Sequence, residues 1–143
     1  MVKQVYKAMP LIILAVLFFL IGMSFGQQKQ KVQRYGMIIG VRPEKIEEYK
    51  RLHANTWPGV LKKIHECNIR NYSIYLKEVE KGKFYLFSYF EYTGNDFEAD
   101  MASMAADSTT QKWWKETDPC QIPIPNRSKN EWWSHMEEVF HTD

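Results

Sequence analysis

Residues 83–92 read KFYLFSYFEY. Alternation along this run puts Phe84, Leu86 and Phe90 on one side and Tyr85, Phe87 and Tyr89 on the other. A strand apolar on both sides belongs to a sheet covered on both faces. This stretch restricts the chain to a sheet with something packed against each side. Residues 68–79, NIRNYSIYLKEV, supply the preceding strand, and Glu80-Lys81-Gly82 supplies the turn. The two strands therefore form a hairpin. Helices can cover one face, and a second subunit is the economical cover for the other.

The flanking segments complete the pattern. In RYGMIIGV, residues 34–41, alternation places Tyr35, Met37, Ile39 and Val41 on one face. Pro43 suits the first turn of a helix. That helix carries Ile46, Tyr49, Leu52 and His53 inward, and Pro58 breaks or kinks it. Gly59 to Cys67 continue as a second helical piece, with Val60, Leu61 and Ile64 inward. After a turn at residues 93–96, a helix runs to about Asp107 with Phe97, Met101, Met104 and Ala105 inward. Ser108 is placed to cap a further helix, TTQKWWKET. PCQIPIPNRSKN reads as a long Pro-rich loop, of the kind that serves as a lid or stays mobile. HMEEVFHT, residues 135–142, reads as the last strand. The order β-α-β-β-α-β is the α+β, ferredoxin-like arrangement, an antiparallel sheet with helices on one face. Two such sheets stacked face to face make a dimeric α/β barrel.

The start of the chain stands apart. MVKQVYKAMP carries Lys3 and Lys7 and no acid, residues 11–23 are apolar throughout, and Ser24 and Gly26 flank Phe25. These are the charged, apolar and small-residue regions of a signal peptide. The expected organisation is a signal peptide over residues 1–26, a flexible lead-in over 27–33 and one domain over 34–143. Cleavage after Gly26 would make the protein exported and periplasmic. A retained membrane anchor is the competing reading, disfavoured because a span needs about 20 apolar residues. Without Lys3 and Lys7 the remaining lysines and arginines equal the 17 acids in number. The basic residues are scattered, with no stripe that would hold phosphates, so nucleic acid is not an expected partner.

Aromatic residues make up 15% of the chain, more than one small core needs, so some should line a cleft or an interface. EEYKRLHANTWP, residues 47–58, sets Tyr49, His53 and Trp57 at i, i+4 and i+8 on one helix face. His53 is either a structural histidine or a proton-transfer group, since imidazole titrates near neutrality. Tyr49 is either an amphipathic core ring or a hydrogen-bonding phenol. Tyr72 and Tyr75 fall on opposite faces of their strand, one toward the helices and the other toward a cavity on the second face. Trp113 and Trp114 diverge by about 100° around a helix, so at least one should face a cleft. Flat rings suit the C–H patches of a sugar. Trp132 and Trp133 read as packing or dimer edge. Cys67 and Cys120 read either as a disulfide or as two separate thiols, and no histidine lies at metal-ligand spacing from either. There is no glycine-rich phosphate loop, no G-x-S-x-G, no paired metal motif and no nucleotide fingerprint. Proton transfer without a cofactor is what these histidines and tyrosines leave open.

The ordered set YKRLHANTWP, NYSIYL, QKWWK and EEVF resembles the L-rhamnose mutarotase family over residues 34–143. The resemblance implies a homodimeric α/β barrel that interconverts the α and β anomers of L-rhamnose with no metal and no organic cofactor. It implies that His53 is the principal proton-transfer residue. Tyr49 and Tyr72 would hold or assist at sugar hydroxyls, and Trp113 and Trp114 would line the pocket. The chain departs from the family pattern at Ala54-Asn55, where Asn and Pro are expected, and in the long segment after Trp114. Two other functions fit parts of the pattern: a cofactor-free monooxygenase of the same barrel type, and an exported, non-catalytic sugar-binding module.

Overall fold

The computed structural model describes residues 32–142. The signal-peptide reading and most of the lead-in lie outside the described residues. Strand β1 (Gln33–Val41) runs antiparallel to β3 (Lys83–Tyr92), from Gln33 opposite Tyr92 to Val41 opposite Phe84. β2 (Ile69–Glu80) pairs with the other edge of β3. The connection between them is Lys81-Gly82, and Gly82 takes φ +75°, a left-handed conformation that glycine adopts without strain. Helix α1 (Ile46–Ala54) follows a 3₁₀ turn at Pro43–Lys45, and α2 (Pro58–Glu66) starts at the proline expected to interrupt it. Helices α3 (Phe97–Ala106) and α4 (Ser108–Thr117) follow β3. The strand order β2-β3-β1-β4, all antiparallel, is the ferredoxin-like order expected.

The last part of the sheet differs from expectation. The Pro-rich segment contributes a short strand, β4 (Gln121–Ile122), on the free edge of β1 opposite Gly40 and Val41. β5 (Ser134–Met136) takes the rest of that edge, opposite Gly36 to Ile38. The expected strand over 135–142 is thus confined to Ser134–Met136, and the residues after Met136 do not pair with Tyr35 to Gln33. Val139 and Phe140 beyond Met136 are 87% and 79% exposed.

The core is one cluster on one face of the sheet. Ile39 and Val41 from β1 and Leu86 from β3 meet Tyr49 and Leu52 from α1, Val60 from α2 and Trp113 from α4. Burying such aliphatic side chains contributes about 1.5–3 kcal/mol each. A β-bulge in β2 between Arg70 and Ser73 changes the alternation, with Asn71 at φ +49°. Because of that extra residue, Ile69 and the run Tyr72, Ile74, Leu76 all face the helices.

Two inward assignments and one helix cap are corrected. Leu61 lies one residue off the buried Val60 and is 54% exposed. Ala105 is exposed as well. The α4 cap is Asp107 rather than Ser108, its carboxylate accepting from the Thr110 N–H at 2.7 Å. Cys67 and Cys120 are separate buried thiols, which resolves the choice left open above.

Candidate active site

A cavity of about 1000 Å³ lies between the inner sheet face and the four helices. This corrects the expected placement. The cavity is on the helix side, not on the second face: residues of all four helices and of the inner sheet face line it. Tyr72 points into the cavity, and Tyr75 lies on the opposite face, 62% exposed. Tyr49, His53, Tyr72, Trp113 and Trp114 all line this one space.

α1 positions the first pair. Tyr49 and His53 are one turn apart, and their rings stack with centroids 4.1 Å apart. The His53 Nδ1 lies 3.0 Å from the Tyr49 carbonyl oxygen. A carbonyl only accepts, so Nδ1 carries the proton and the neutral ring presents the Nε2 lone pair. Burial pushes the His53 pKa below its ordinary value, and the bond to the carbonyl partly opposes this. The ring is thereby held as a neutral base.

α4 positions the tryptophans. Thr110, Trp113 and Thr117 share its buried side. Trp113 is 6% exposed and meets the edges of both His53 and Trp57, each with centroids 5.4 Å apart. The Tyr49, His53, Trp57 stripe is therefore half core and half site: its rings close around Trp113. Trp114, turned by about 100°, is 36% exposed.

Two phenols complete the polar end. Burial raises the Tyr49 pKa far above its ordinary value, with the nearby Tyr72 phenol adding to it and the Gln121 side chain opposing it. Tyr72 faces the cavity, and loss of hydration there pushes its pKa up to about 12. Both phenols thus stay protonated and able to donate. Thr110, also lining the cavity, has its buried hydroxyl beside the Asp107 carboxylate that caps α4.

Sequence reasoning missed the contribution of residues 118–135. Asp118, whose pKa burial raises, Gln121, Glu131, Trp132, Trp133 and His135 all line the cavity. Trp132 and Trp133 had been read as packing or dimer edge. Trp133 does pack on the core, while the Trp132 Nε1–H donates to Gln121 Oε1 at 2.6 Å. The rare Trp-Trp pair was the one available signal. Among the described residues no cluster of three His, Cys, Asp or Glu could hold a metal ion.

The comparisons with known proteins agree with this geometry. The family described as L-rhamnose mutarotase matches residues 34–142. An L-rhamnose mutarotase of Oceanobacillus iheyensis is 33% identical over 112 residues, covering 78% of this chain and 100% of the relative. That of Bacillus subtilis is 31% identical, with the same coverage. The crystal structure of an L-rhamnose mutarotase from Formosa agariphila superposes with a TM-score of 0.57 at 19% identity, covering 78% of this chain and 99% of that one. At that identity the likeness concerns the fold.

Proposed function

This chain belongs to the L-rhamnose mutarotase family, and we propose that it interconverts the α and β anomers of L-rhamnose in the cavity between sheet and helices. The observation that carries the reading is the meeting of a neutral imidazole, two protonated phenols and two tryptophan rings in one apolar-walled space. Anomer exchange needs little else. His53 Nε2 takes the proton of the anomeric O–H. The bond from C1 to the ring oxygen breaks, and its electron pair goes to that oxygen, which is protonated by a phenol O–H. The open aldehyde turns about its bond to C2 and presents its other face. Reclosure runs the same transfers backward, so both groups return to their starting state. General acid and base catalysis of this kind contributes about 10²–10⁴-fold. Tyr49 and Tyr72 hold or assist at the sugar hydroxyls, and Trp113 and Trp114 wall the pocket.

Saturation transfer between the anomeric protons of L-rhamnose tests the reading. Transfer should grow in proportion to the concentration of the full chain. Folded protein that leaves the exchange at its spontaneous rate would overturn the assignment, and saturable rhamnose binding in that case would indicate a binding module.

We also propose that the protein is an exported homodimer. Support for the dimer is the outer sheet face, where Tyr75 and the half-exposed Tyr85, Phe87 and Tyr89 have no helix over them among the described residues. Support for export is the charged, apolar and small-residue pattern of residues 1–26. A monomer mass by light scattering would sink the first. Uncleaved protein in the cytoplasmic fraction would sink the second.

A further inference from the structure

We propose that Gln121 and Trp132 are positioning residues that aim the Tyr49 hydroxyl proton into the sugar site. The inference rests on the mutarotase reading and adds to it a part built from the segment after α4.

Gln121 is 6% exposed, and its backbone is held opposite Val41 in the β1–β4 ladder. A buried primary amide has one accepting end and one donating end. The accepting end is taken, because Trp132 Nε1–H donates to Oε1 at 2.6 Å. An indole N–H can only donate, so this bond also fixes which way the amide is turned. The NH₂ end is therefore the part of Gln121 left to donate. Gln121 and Tyr49 line the same cavity, and the amide opposes the upward push of burial on the phenol, so the pairing proposed is Gln121 N–H to the Tyr49 oxygen. An NH₂ only donates, so the Tyr49 oxygen accepts.

The consequence concerns the remaining proton. A phenol oxygen that accepts from Gln121 has its own O–H directed elsewhere. Tyr49 is otherwise enclosed by the His53 ring on one side and by core residues on the other, and the cavity is the open direction. The O–H thus points at bound sugar. As Tyr49 donates to the ring oxygen and negative charge builds on the phenol, the Gln121 N–H stabilises it. Trp132 acts one step further back, by preventing the amide from turning its carbonyl toward the phenol. A turned amide would accept the Tyr49 proton and withdraw it from the substrate.

Full-length Trp132→Phe, Gln121→Leu and Tyr49→Phe, and the double variant Tyr49→Phe/Trp132→Phe, test this. Trp132→Phe keeps a ring in place and removes the N–H. It should lower kcat for anomer exchange about fivefold, with KM nearly unchanged, the size expected of one neutral hydrogen bond. Gln121→Leu should lower it further. In the Tyr49→Phe background, Trp132→Phe should have no additional effect. A Trp132→Phe loss that persists in that background, or that appears only in KM, overturns the proposal. A second readout needs no activity: in ¹H–¹⁵N spectra Tyr49→Phe should shift the Gln121 side-chain NH₂ signals and leave the Trp132 indole N–H bonded. Unmoved Gln121 signals overturn it as well. A wild type without anomer exchange would instead remove the functional reading, while the spectra still decide whether the hydrogen-bond chain exists.

Discussion

His53→Gln is expected to slow anomer exchange by about 10²–10⁴-fold while leaving rhamnose affinity nearly unchanged. Glutamine fills similar space and can hydrogen-bond, but it cannot take up and return a proton near neutrality. The variant therefore separates packing from proton transfer. His53 is half-buried with one ring nitrogen committed to the Tyr49 carbonyl at 3.0 Å, so the fold loses that bond and the ring contacts with Tyr49 and Trp113, which the glutamine side chain partly replaces. Thermal melts should place the variant close to the wild type. The wild-type pH profile makes the same point from another side. Burial disfavours the imidazolium, so the folded pKa lies below 6.5 and the neutral form predominates at that pH. The base is then present at neutral pH and is lost as pH falls through the depressed pKa. The acid limb of the activity profile should therefore be centred below pH 6.5. The phenols stay protonated well into the alkaline range, so no loss is expected near pH 9. An exchange rate in His53→Gln within a few-fold of the wild type would take His53 out of the chemistry. An acid limb centred above pH 6.5 would contradict its environment.

The stripe of Tyr49, His53 and Trp57 was legible because helical periodicity is local, and so were the bounds of β3 and the break at Pro58. What lay beyond reach was long-range. Alternation along 68–79 assigned Tyr72 and Tyr75 to opposite faces, but not which face would hold the cavity. That depends on how far α1, α3 and α4 stand from the sheet, which no short window encodes. Gln121-Ile122 is too short to show a period, and only its pairing with Gly40 and Val41 makes it a strand. About a quarter of the cavity wall was hidden for this reason: residues 118–135 reach the site through that ladder. The fold class could be read from element order alone, because β-α-β-β-α-β admits few arrangements.

The adjacent tryptophans should separate stability from binding. Trp113→Ala removes a ring that is 6% exposed and touches His53, Trp57 and the core cluster. Truncation of a buried Trp costs about 3–5 kcal/mol, against a total of about 5–15 kcal/mol for a domain. The melting temperature should fall by more than about 10 °C, and His53, having lost its packing surface, should lose activity with it. Trp114→Ala removes a ring that is 36% exposed and faces the cavity. Its melting temperature should stay within a few degrees. Its effect should fall on the substrate: covering about 50 Å² of apolar sugar surface is worth about 1.2 kcal/mol, so KM should rise about eightfold. Calorimetry and the anomer-exchange assay on the two variants would read both quantities. Equal melting temperatures for the pair would mean that Trp113 is not the core residue its burial indicates. An unchanged KM in Trp114→Ala would mean that the sugar sits against the sheet side of the cavity, under Tyr72 and Phe90, and not against α4.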